Sequence, residues 1–365
     1  MLREIYEQPQ ALAETMAAAV DGTTFRHDIC DPIRQWLSHA GHEIVIAASG
    51  SSRHAGLDAE LFIESRSHLA VDVEYASEYS YRDSETLKHA PVLVISQSGE
   101  TVDTLAALRQ ARRGGNKTLA ITNVPDSTMA READVSFPTL AGRERAVPAT
   151  KSFTAQLLNL YLLSLLNAEV QKTRSAETLA ADLAELSKLP SRIEQQLPAW
   201  DKAAREAASR LLEAQSFLFL GREMHYPIAR EGALKLKESS YLHAEGYPAG
   251  ELKHGPNALV GPQTPLVMIA TCNRTNASSL LRYEKMLQLM ADMRTQGATI
   301  LAVANTGDAE VMQLANWTLG VDEMSDELLT MAEVVPLQLL SYHIAIGRGI
   351  DVDRPRNLSK AVLTE

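Results

Sequence analysis

Short apolar runs alternate with amphipathic helical stretches along the chain, and the same order of elements occurs in both halves. Continuous apolar runs between helices are typical of parallel strands that are covered on both faces of a sheet. Six runs are predicted as strands: residues 44–48, 91–96 and 118–123 in the first half, and residues 216–221, 265–271 and 298–305 in the second. The pattern therefore predicts an α/β fold with two doubly wound parallel-sheet domains in tandem.

The segment between the two halves indicates where the domains meet. Residues 169–198 are charged and helix-prone, and Pro190 and Pro198 predict the end of that segment, because proline interrupts a helix. We therefore place the first domain at residues 1–198 and the second at residues 199–365.

Composition narrows the class of protein. The 365-residue chain has 45% hydrophobic residues, enough for two cores, and its net charge of −11 argues against nucleic-acid binding. Cys30 and Cys272 are far apart in sequence and predict reduced thiols.

Residues 1–9 lack the pattern of a signal peptide, and the apolar residues 157–166 are about half as long as a membrane span. We expect a cytoplasmic protein with no membrane segment, in which residues 157–166 form a buried helix.

A loop rich in hydroxyl groups follows the second predicted strand and leads directly into a helix. Its sequence is Ser96-Gln97-Ser98-Gly99-Glu100-Thr101, and Gly50-Ser51-Ser52 follows the first strand at the same edge of the sheet. Hydroxyl groups, a glycine and the amides of a helix N-terminus bind a phosphate monoester without a lysine. The alternative is that Ser98 and Thr101 merely cap the helix. The two loops together favour phosphate binding.

Motifs for larger phosphate-containing ligands are missing from the sequence. It has no Gly-Lys-Ser/Thr and no GxGxxG after a strand, so nucleoside triphosphates and NAD are poor candidates and we expect no cofactor. The corresponding loop of the second half, residues 271–275, lacks the Ser-x-Ser-Gly-x-Thr arrangement. We therefore expect one phosphate site per chain, in the first domain.

One helix of the second half carries titratable residues on a single face. Pro227 predicts its first turn, and Glu231, Lys235 and Glu238 follow at spacings of four and three. By spacing alone, a solvated ladder of salt bridges is favoured over the alternative, a carboxylate and an ammonium that point into a cleft and transfer protons.

Two more candidates lie towards the C-terminus. Residues 243–256 contain two histidines and two carboxylates, but their spacings match no standard zinc pattern, so we expect no metal. The glycines and proline of this segment predict a loop, on which His254 is either an acid or base or a structural hydrogen-bonding residue. Lys360 lies close to the chain end, where a side chain is usually solvated, so its position alone predicts no role.

Five motifs in order along the chain carry a resemblance to a known family. They are ISQSGETVDTL, ATKSFTAQL, EGALKLKESSYLHAE, GELKHGP and PRNLSKAV. The chain resembles the isomerase half of glucosamine-6-phosphate synthase, also called glutamine:fructose-6-phosphate aminotransferase. The resemblance implies two SIS (sugar isomerase) domains of flavodoxin-like type and a homodimer. It also implies a phosphosugar aldose–ketose isomerase of amino-sugar metabolism, which interconverts fructose 6-phosphate plus ammonia and glucosamine 6-phosphate.

The resemblance further implies roles for single residues. Lys360 forms a Schiff base with the open ketose, and His254 opens the sugar ring from the neighbouring subunit. Glu238 moves a proton between C1 and C2, and Lys235 assists that transfer. Lys151 belongs to a loop that adjoins the sugar site. The residues that contact the sugar phosphate are Ser51, Ser52, Ser96, Gln97, Ser98, Thr101, Val147, Ala149 and Ser359. Acid–base groups and an amine are sufficient for this chemistry without cofactor or metal.

The sequence also departs from the family, which leaves other functions open. Ser49 stands where the family commonly has a cysteine, and Arg53 and His54 differ as well, so we expect altered selectivity near the phosphate. The family's glutaminase domain is not in this sequence, and a separate glutaminase subunit is a predicted partner. One alternative is a degradative glucosamine-6-phosphate deaminase, or a related enzyme that cleaves an aminated ketose phosphate. The other is a non-catalytic sugar-phosphate sensor, which the intact catalytic positions argue against.

Overall fold

A computed structural model describes residues 1–82 and 89–360, and the chain divides into two compact units. The N-terminal unit contains Glu7–Glu144 and Lys151–Ser191, together with Ser359 and Lys360. The C-terminal unit contains Met1–Tyr6, Arg145–Thr150 and Arg192–Leu358. These units change over after Ser191, and Ser359 and Lys360 belong to the unit that contains the hydroxyl-rich loops. The domain boundary after residue 198 stays a prediction.

Helices and strands alternate in both units. The helices, in chain order, are α1 (Leu2–Tyr6), α2 (Gln8–Ala19), α3 (His27–Leu37), α4 (Gly50–Glu64), α5 (Ala76–Tyr79), α6 (Val102–Arg113), α7 (Thr128–Glu132), α8 (Lys151–Val170), α9 (Ala176–Leu186), α10 (Leu189–Leu211), α11 (His225–Ser240), α12 (Ala277–Thr295), α13 (Ala309–Leu314) and α14 (Asp326–Gly347). The strands are β1 (Val20–Asp21), β2 (Thr24–Phe25), β3 (Glu43–Ala48), β4 (Ala70–Tyr75), β5 (Val92–Ser96), β6 (Thr118–Thr122), β7 (Val135–Pro138), β8 (Ser216–Gly221), β9 (His243–Pro248), β10 (Leu266–Ala270), β11 (Ile300–Asn305) and β12 (Trp317–Val321).

Each unit is built on a five-stranded parallel sheet. The order is β4-β3-β5-β6-β7 in the N-terminal unit and β9-β8-β10-β11-β12 in the C-terminal unit. Numbered within each unit, both sheets have the strand order 2-1-3-4-5, which is the flavodoxin-like order. The predicted fold class is confirmed. Ligands of such sheets bind beyond the carboxyl ends of the strands at the point where the order reverses, which is between β3 and β5 in the N-terminal unit.

All six predicted strands are present, but the outer strands are not evident in the sequence. β4, β7, β9 and β12 have half-buried or exposed positions, so they lack the continuous apolar run of a central strand. The prediction of a loop throughout residues 243–256 is wrong, because β9 occupies its first part. Its Gly246 permits close packing on α11, since a Cβ there would lie 2.5 Å from the Cα of Arg230. Its Pro248 is tolerated at the end of an edge strand.

The two prolines near the domain boundary do not end a helix. Pro190 lies in the first turn of α10, where no amide donor is needed, and Pro198 lies inside that helix. An internal proline costs about 3 kcal/mol. Burial of the neighbouring Leu197 and Trp200 offsets this cost, and the Trp200 indole N–H donates to the carbonyl of Gly320 at 2.5 Å.

Two long apolar helices are core helices. α8 includes the predicted buried helix, and its residues from Lys151 to Ala168 are buried. Within the described ranges, α14 is long and apolar enough to cross a membrane, but 83% of its most apolar window is buried inside the protein. Cys30 and Cys272 are free and buried, and burial raises the pKa of each thiol to about 11.

Candidate active site

A small cavity at the carboxyl ends of β3 and β5 collects the hydroxyl-rich loops. Its volume is about 120 Å³, a size that suits the end group of a ligand and not a whole drug-sized molecule. Its lining residues are Ser49, Ser51, Ser52, Ile95, Ser96, Gln97, Ser98, Thr101, Thr104 and Lys360. The structure thus brings together the six residues predicted on the two loops, and adds Lys360 to them. Their role in binding stays a prediction.

The hydroxyl groups of the second loop are not used as simple helix caps. Thr101 is the N-cap residue of α6, but its side chain accepts no cap hydrogen bond within the described part of the chain. Its Oγ1 instead lies 2.9 Å from Oγ of Ser96. Oγ of Ser98 accepts a hydrogen bond from the backbone amide of Glu100 at 3.1 Å. The hydroxyls therefore shape the loop. This arrangement favours the interpretation that the helix N-terminus faces a ligand, because backbone amides and the helix dipole both attract an anion there.

In the corresponding loop of the C-terminal unit, residues 271–275, side chains from other elements accept backbone amides. The amides of Cys272, Asn273 and Arg274 donate to Asn305, Ser279 and Glu323 at 2.8–2.9 Å. The side chain of Asn276 caps the following helix, α12. In the N-terminal unit the amides of Gly99 and Glu100 likewise donate to Oγ of Ser96 and Ser98, at 3.2 and 3.1 Å. Loop amides are therefore satisfied in both units, and one phosphate site per chain stays a prediction.

Gly99 fixes the shape of the loop, and its replacement is a direct test. Its φ is +65°, and a Cβ would lie 2.1 Å from Oγ of Ser127. We expect Gly99→Ala to destabilise the protein by about 1–3 kcal/mol from backbone strain, with further loss from the clash. It should also weaken sugar-phosphate binding, as measured by urea unfolding and calorimetric titration.

Gly115 provides the matched control for that substitution. It also has a positive φ, +81°, but a Cβ there meets no atom within 4 Å. Gly115→Ala should therefore show the strain without the clash and leave binding unchanged. Equal binding losses in the two variants would contradict this account of the loop.

Lys360 is held in the cavity wall by a residue that the sequence did not reveal. Its Nζ donates to the carboxylate of Glu144, and 24% of its side chain is exposed. The Glu144 side chain is fully buried and also accepts a 2.6 Å hydrogen bond from Oγ of Ser152. The pair is separated by 216 positions, so no local pattern predicts it. The expectation of a solvated chain end is wrong for Lys360.

The predicted salt-bridge ladder on α11 is not solvated. Lys235 and Glu231 have no exposed side-chain surface, and 21% of the Glu238 side chain is exposed. Nζ of Lys235 lies 3.3 Å from Oε1 of Glu231 and 2.5 Å from Oε2 of Glu238. Burial by itself would lower the pKa of Lys235, but the two carboxylates outweigh it and hold that pKa above its usual value. Lys235 is therefore a buried, fixed positive charge beside Glu238.

This arrangement predicts a large loss of stability when the cation is removed. Lys235→Met leaves a buried carboxylate without compensation, and we expect a loss of about 3–5 kcal/mol in the free energy of unfolding, measured with urea. The exposed pair of Lys188 and Glu185, 2.9 Å apart, supplies the control. Lys188→Met should cost less than about 1 kcal/mol. Adding Glu231→Gln to Lys235→Met should restore part of the loss, and no restoration would contradict the ion-pair explanation.

The remaining predicted site residues occupy different surroundings. His254 is exposed at the end of the 3₁₀ turn Ala249–His254 in the C-terminal unit. Val147 and Ala149 are half-buried in the segment Arg145–Thr150 of the same unit. Ser359 is exposed in the N-terminal unit. No three His, Cys, Asp or Glu side chains converge on a metal position among residues 1–82 and 89–360.

The positions that depart from the family differ in their relation to the cavity. Ser49 lines it. The guanidinium of Arg53 instead lies 3.8 Å from the ring centre of Tyr75 and donates to the carbonyl of Val73 at 3.1 Å. His54 is buried in α4. An effect of these residues on selectivity stays a prediction.

A buried polar network in the C-terminal unit was also missed. Nδ1 of His225 lies 2.9 Å from Oε2 of Glu333. The other carboxylate oxygen of Glu333, Oε1, accepts a hydrogen bond from the hydroxyl of Thr271. Burial lowers the pKa of His225, but Glu333 outweighs it, and the net shift is upward. The three residues of this network lie on α11, on α14 and after β10, so only the fold brings them together.

Comparison with known proteins agrees with two copies of one domain. Residues 37–166 and 210–348 match the SIS domain family. The chain belongs to this family, with two copies of the domain. The resemblance to the isomerase half of the aminotransferase is also confirmed by the relatives.

The relatives are named for an aminotransferase reaction. The glutamine–fructose-6-phosphate aminotransferase (isomerizing) of Chlorobaculum tepidum is 42% identical over 375 residues, which is 100% of this chain and 58% of that protein. The Clostridium acetobutylicum protein of the same name is 39% identical over 366 residues, 100% of this chain and 59% of its own length. The chain thus spans somewhat more than half the length of these curated relatives.

Solved structures extend the comparison. The C-terminal domain of glucosamine-fructose-6-phosphate aminotransferase from Francisella tularensis has a TM-score of 0.89 at 35% identity, over 97% of each chain. A glucosamine-6-phosphate deaminase from Thermotoga maritima has a TM-score of 0.72 at 24% identity, over 99% of this chain and 98% of that one, and shares the fold.

Proposed function

We propose that this chain is an enzyme, a phosphosugar aldose–ketose isomerase of amino-sugar metabolism, which interconverts fructose 6-phosphate plus ammonia and glucosamine 6-phosphate. The observation that carries the proposal is the amine of Lys360 in the wall of a hydroxyl-lined cavity. A phosphate bound by the serine loops and helix N-termini would hold the sugar beside that amine.

The proposed reaction divides into steps that need different groups. Lys360 attacks the carbonyl of the open ketose and forms an imine, which withdraws electrons from the neighbouring carbon. Glu238 accepts a proton from one of the two carbons, C1 and C2, and returns it to the other. Lys235 is held protonated, so it acts by stabilising negative charge and not by donating a proton.

Ring opening and the supply of ammonia require partners. We propose that His254, exposed on its 3₁₀ turn, opens the ring of a sugar bound to a second copy of the chain in a homodimer. Ammonia would come from a separate glutaminase subunit, in agreement with the names of the relatives. The protein would work in the cytoplasm on a small sugar phosphate, without nucleic acid.

The test is a coupled assay of the purified chain with two substrates. With fructose 6-phosphate alone, we expect glucose 6-phosphate, since isomerisation needs no amine donor. With glucosamine 6-phosphate, ammonia and fructose 6-phosphate are read separately, and their formation in equal amounts would establish a deaminase direction. Calorimetric binding of either sugar phosphate without any conversion would refute the enzyme and establish a sensor.

A further inference from the structure

The contact between Lys360 and Glu144 links the proposed nucleophile to a fully buried carboxylate. Glu144 has no exposed side-chain surface, whereas 24% of the Lys360 side chain is exposed in the cavity wall. The carboxylate is itself fixed by α8, since Oγ of Ser152 donates to its Oε2 at 2.6 Å and the amide of Ser152 donates to its Oε1 at 3.3 Å. Glu144 therefore has a defined position within the N-terminal unit.

Lys360 can act as a nucleophile only after its ammonium group has lost a proton, and Glu144 is placed to accept that proton. An ammonium group has no free electron pair, so it must lose a proton before it attacks a carbonyl. A carboxylate in direct contact is a proton acceptor at hydrogen-bonding distance, and it holds the Lys360 side chain so that its amine stays in the cavity wall.

We propose that Glu144 is the positioning residue of Lys360 and the acceptor of its proton during imine formation, an inference that rests on the proposed function. The Lys360 ammonium gives one proton to Glu144, and the free amine forms a C–N bond with the ketose carbonyl carbon. The nitrogen then releases a second proton to the former carbonyl oxygen, which becomes a hydroxyl. Glu144 returns its proton to this hydroxyl, which leaves as water when the C–O bond breaks. The product is a protonated imine, so all three ammonium protons are accounted for.

If Glu144 had only a structural role, it would hold the Lys360 side chain in place without affecting the protonation of its amine. The two roles differ in their dependence on pH. If Glu144 accepts the proton, its loss is compensated at high pH, where solvent hydroxide removes the proton instead. If Glu144 only holds the Lys360 side chain in place, its replacement slows imine formation by the same factor at every pH.

The experiment traps the imine between the chain and fructose 6-phosphate with cyanoborohydride, from about pH 6 to about pH 9, and follows the adduct on Lys360 by peptide mass spectrometry. We expect Glu144→Gln to slow trapping by about 10²-fold at neutral pH, with most of the rate recovered at the alkaline end. The Michaelis constant for fructose 6-phosphate should change little. Glu144→Asp, which retains a carboxylate, should keep the wild-type shape of the pH profile.

Glu132→Gln is the matched control, because Glu132 is an ion-paired carboxylate of the same unit, 2.8 Å from Arg109. It should trap at the wild-type rate. Thermal unfolding of each variant identifies any loss of fold. A wild-type protein that gives no Lys360 adduct at any pH would refute the proposed function, and this inference with it. A wild-type adduct combined with unchanged trapping in Glu144→Gln, or with a loss that is the same at every pH, would refute only the role of Glu144.

Discussion

Replacing Lys360 by alanine is expected to lower the turnover of fructose 6-phosphate by about three orders of magnitude or more, the scale of loss seen when a covalent group is removed from other enzymes. The reason is that no other amine lines the described cavity, so the imine that withdraws electrons from C1 and C2 cannot form. The measurement is steady-state formation of glucose 6-phosphate together with mass spectrometry after cyanoborohydride treatment.

Lys360→Arg is the control that separates chemistry from charge. An arginine keeps a cation at the Glu144 carboxylate but forms no imine, because its guanidinium stays protonated. We expect its stability to remain near that of the wild type while its turnover falls as far as in Lys360→Ala. Near-normal turnover in Lys360→Arg would show that no Schiff base is needed.

Glu238→Gln is expected to lower turnover by about 10²- to 10⁴-fold, because the amide cannot accept a proton from the substrate carbon. Sugar-phosphate binding should change little, since the cavity residues are untouched. The adduct on Lys360 should still form, which distinguishes this variant from Lys360→Ala. Exchange of substrate hydrogen with deuterium oxide, followed by nuclear magnetic resonance, measures the missing step directly.

Two controls accompany this substitution. Glu310→Gln changes an exposed carboxylate on α13 and should leave turnover unchanged. Glu238→Asp keeps the charge beside Lys235 and should retain more activity than Glu238→Gln. Normal hydrogen exchange in Glu238→Gln would remove Glu238 from the proposed mechanism.

The central strands were predictable because burial on both faces demands an uninterrupted apolar sequence. β3, β5 and β6, and their counterparts in the second half, follow this rule. The edge strands do not, because one side of each remains partly exposed and admits polar residues, glycine and proline. β9 shows the limit most clearly, since its Gly246 is a packing position against α11 and not a turn.

The hydroxyl-rich loop was equally predictable, because a strand followed by hydroxyls, a glycine and a helix is contiguous in sequence. The environment of the titratable residues was not. Spacing placed Glu231, Lys235 and Glu238 on one face of α11, but it contained no information about whether that face is buried. A ladder of salt bridges on a helix is more often solvated, but in the structure this face of α11 is largely buried.

The amino-acid sequence by itself determined the repeat, the central strands and the hydroxyl loops, because each depends on neighbours along the chain. Only the tertiary structure decided that Lys360 lies in the cavity wall against Glu144, and that Lys235 is a buried cation. These features join residues up to 216 positions apart, or depend on what covers a helix face, and both follow from packing of the whole unit. Local patterns describe which contacts a segment is able to make, and the fold selects the ones it makes.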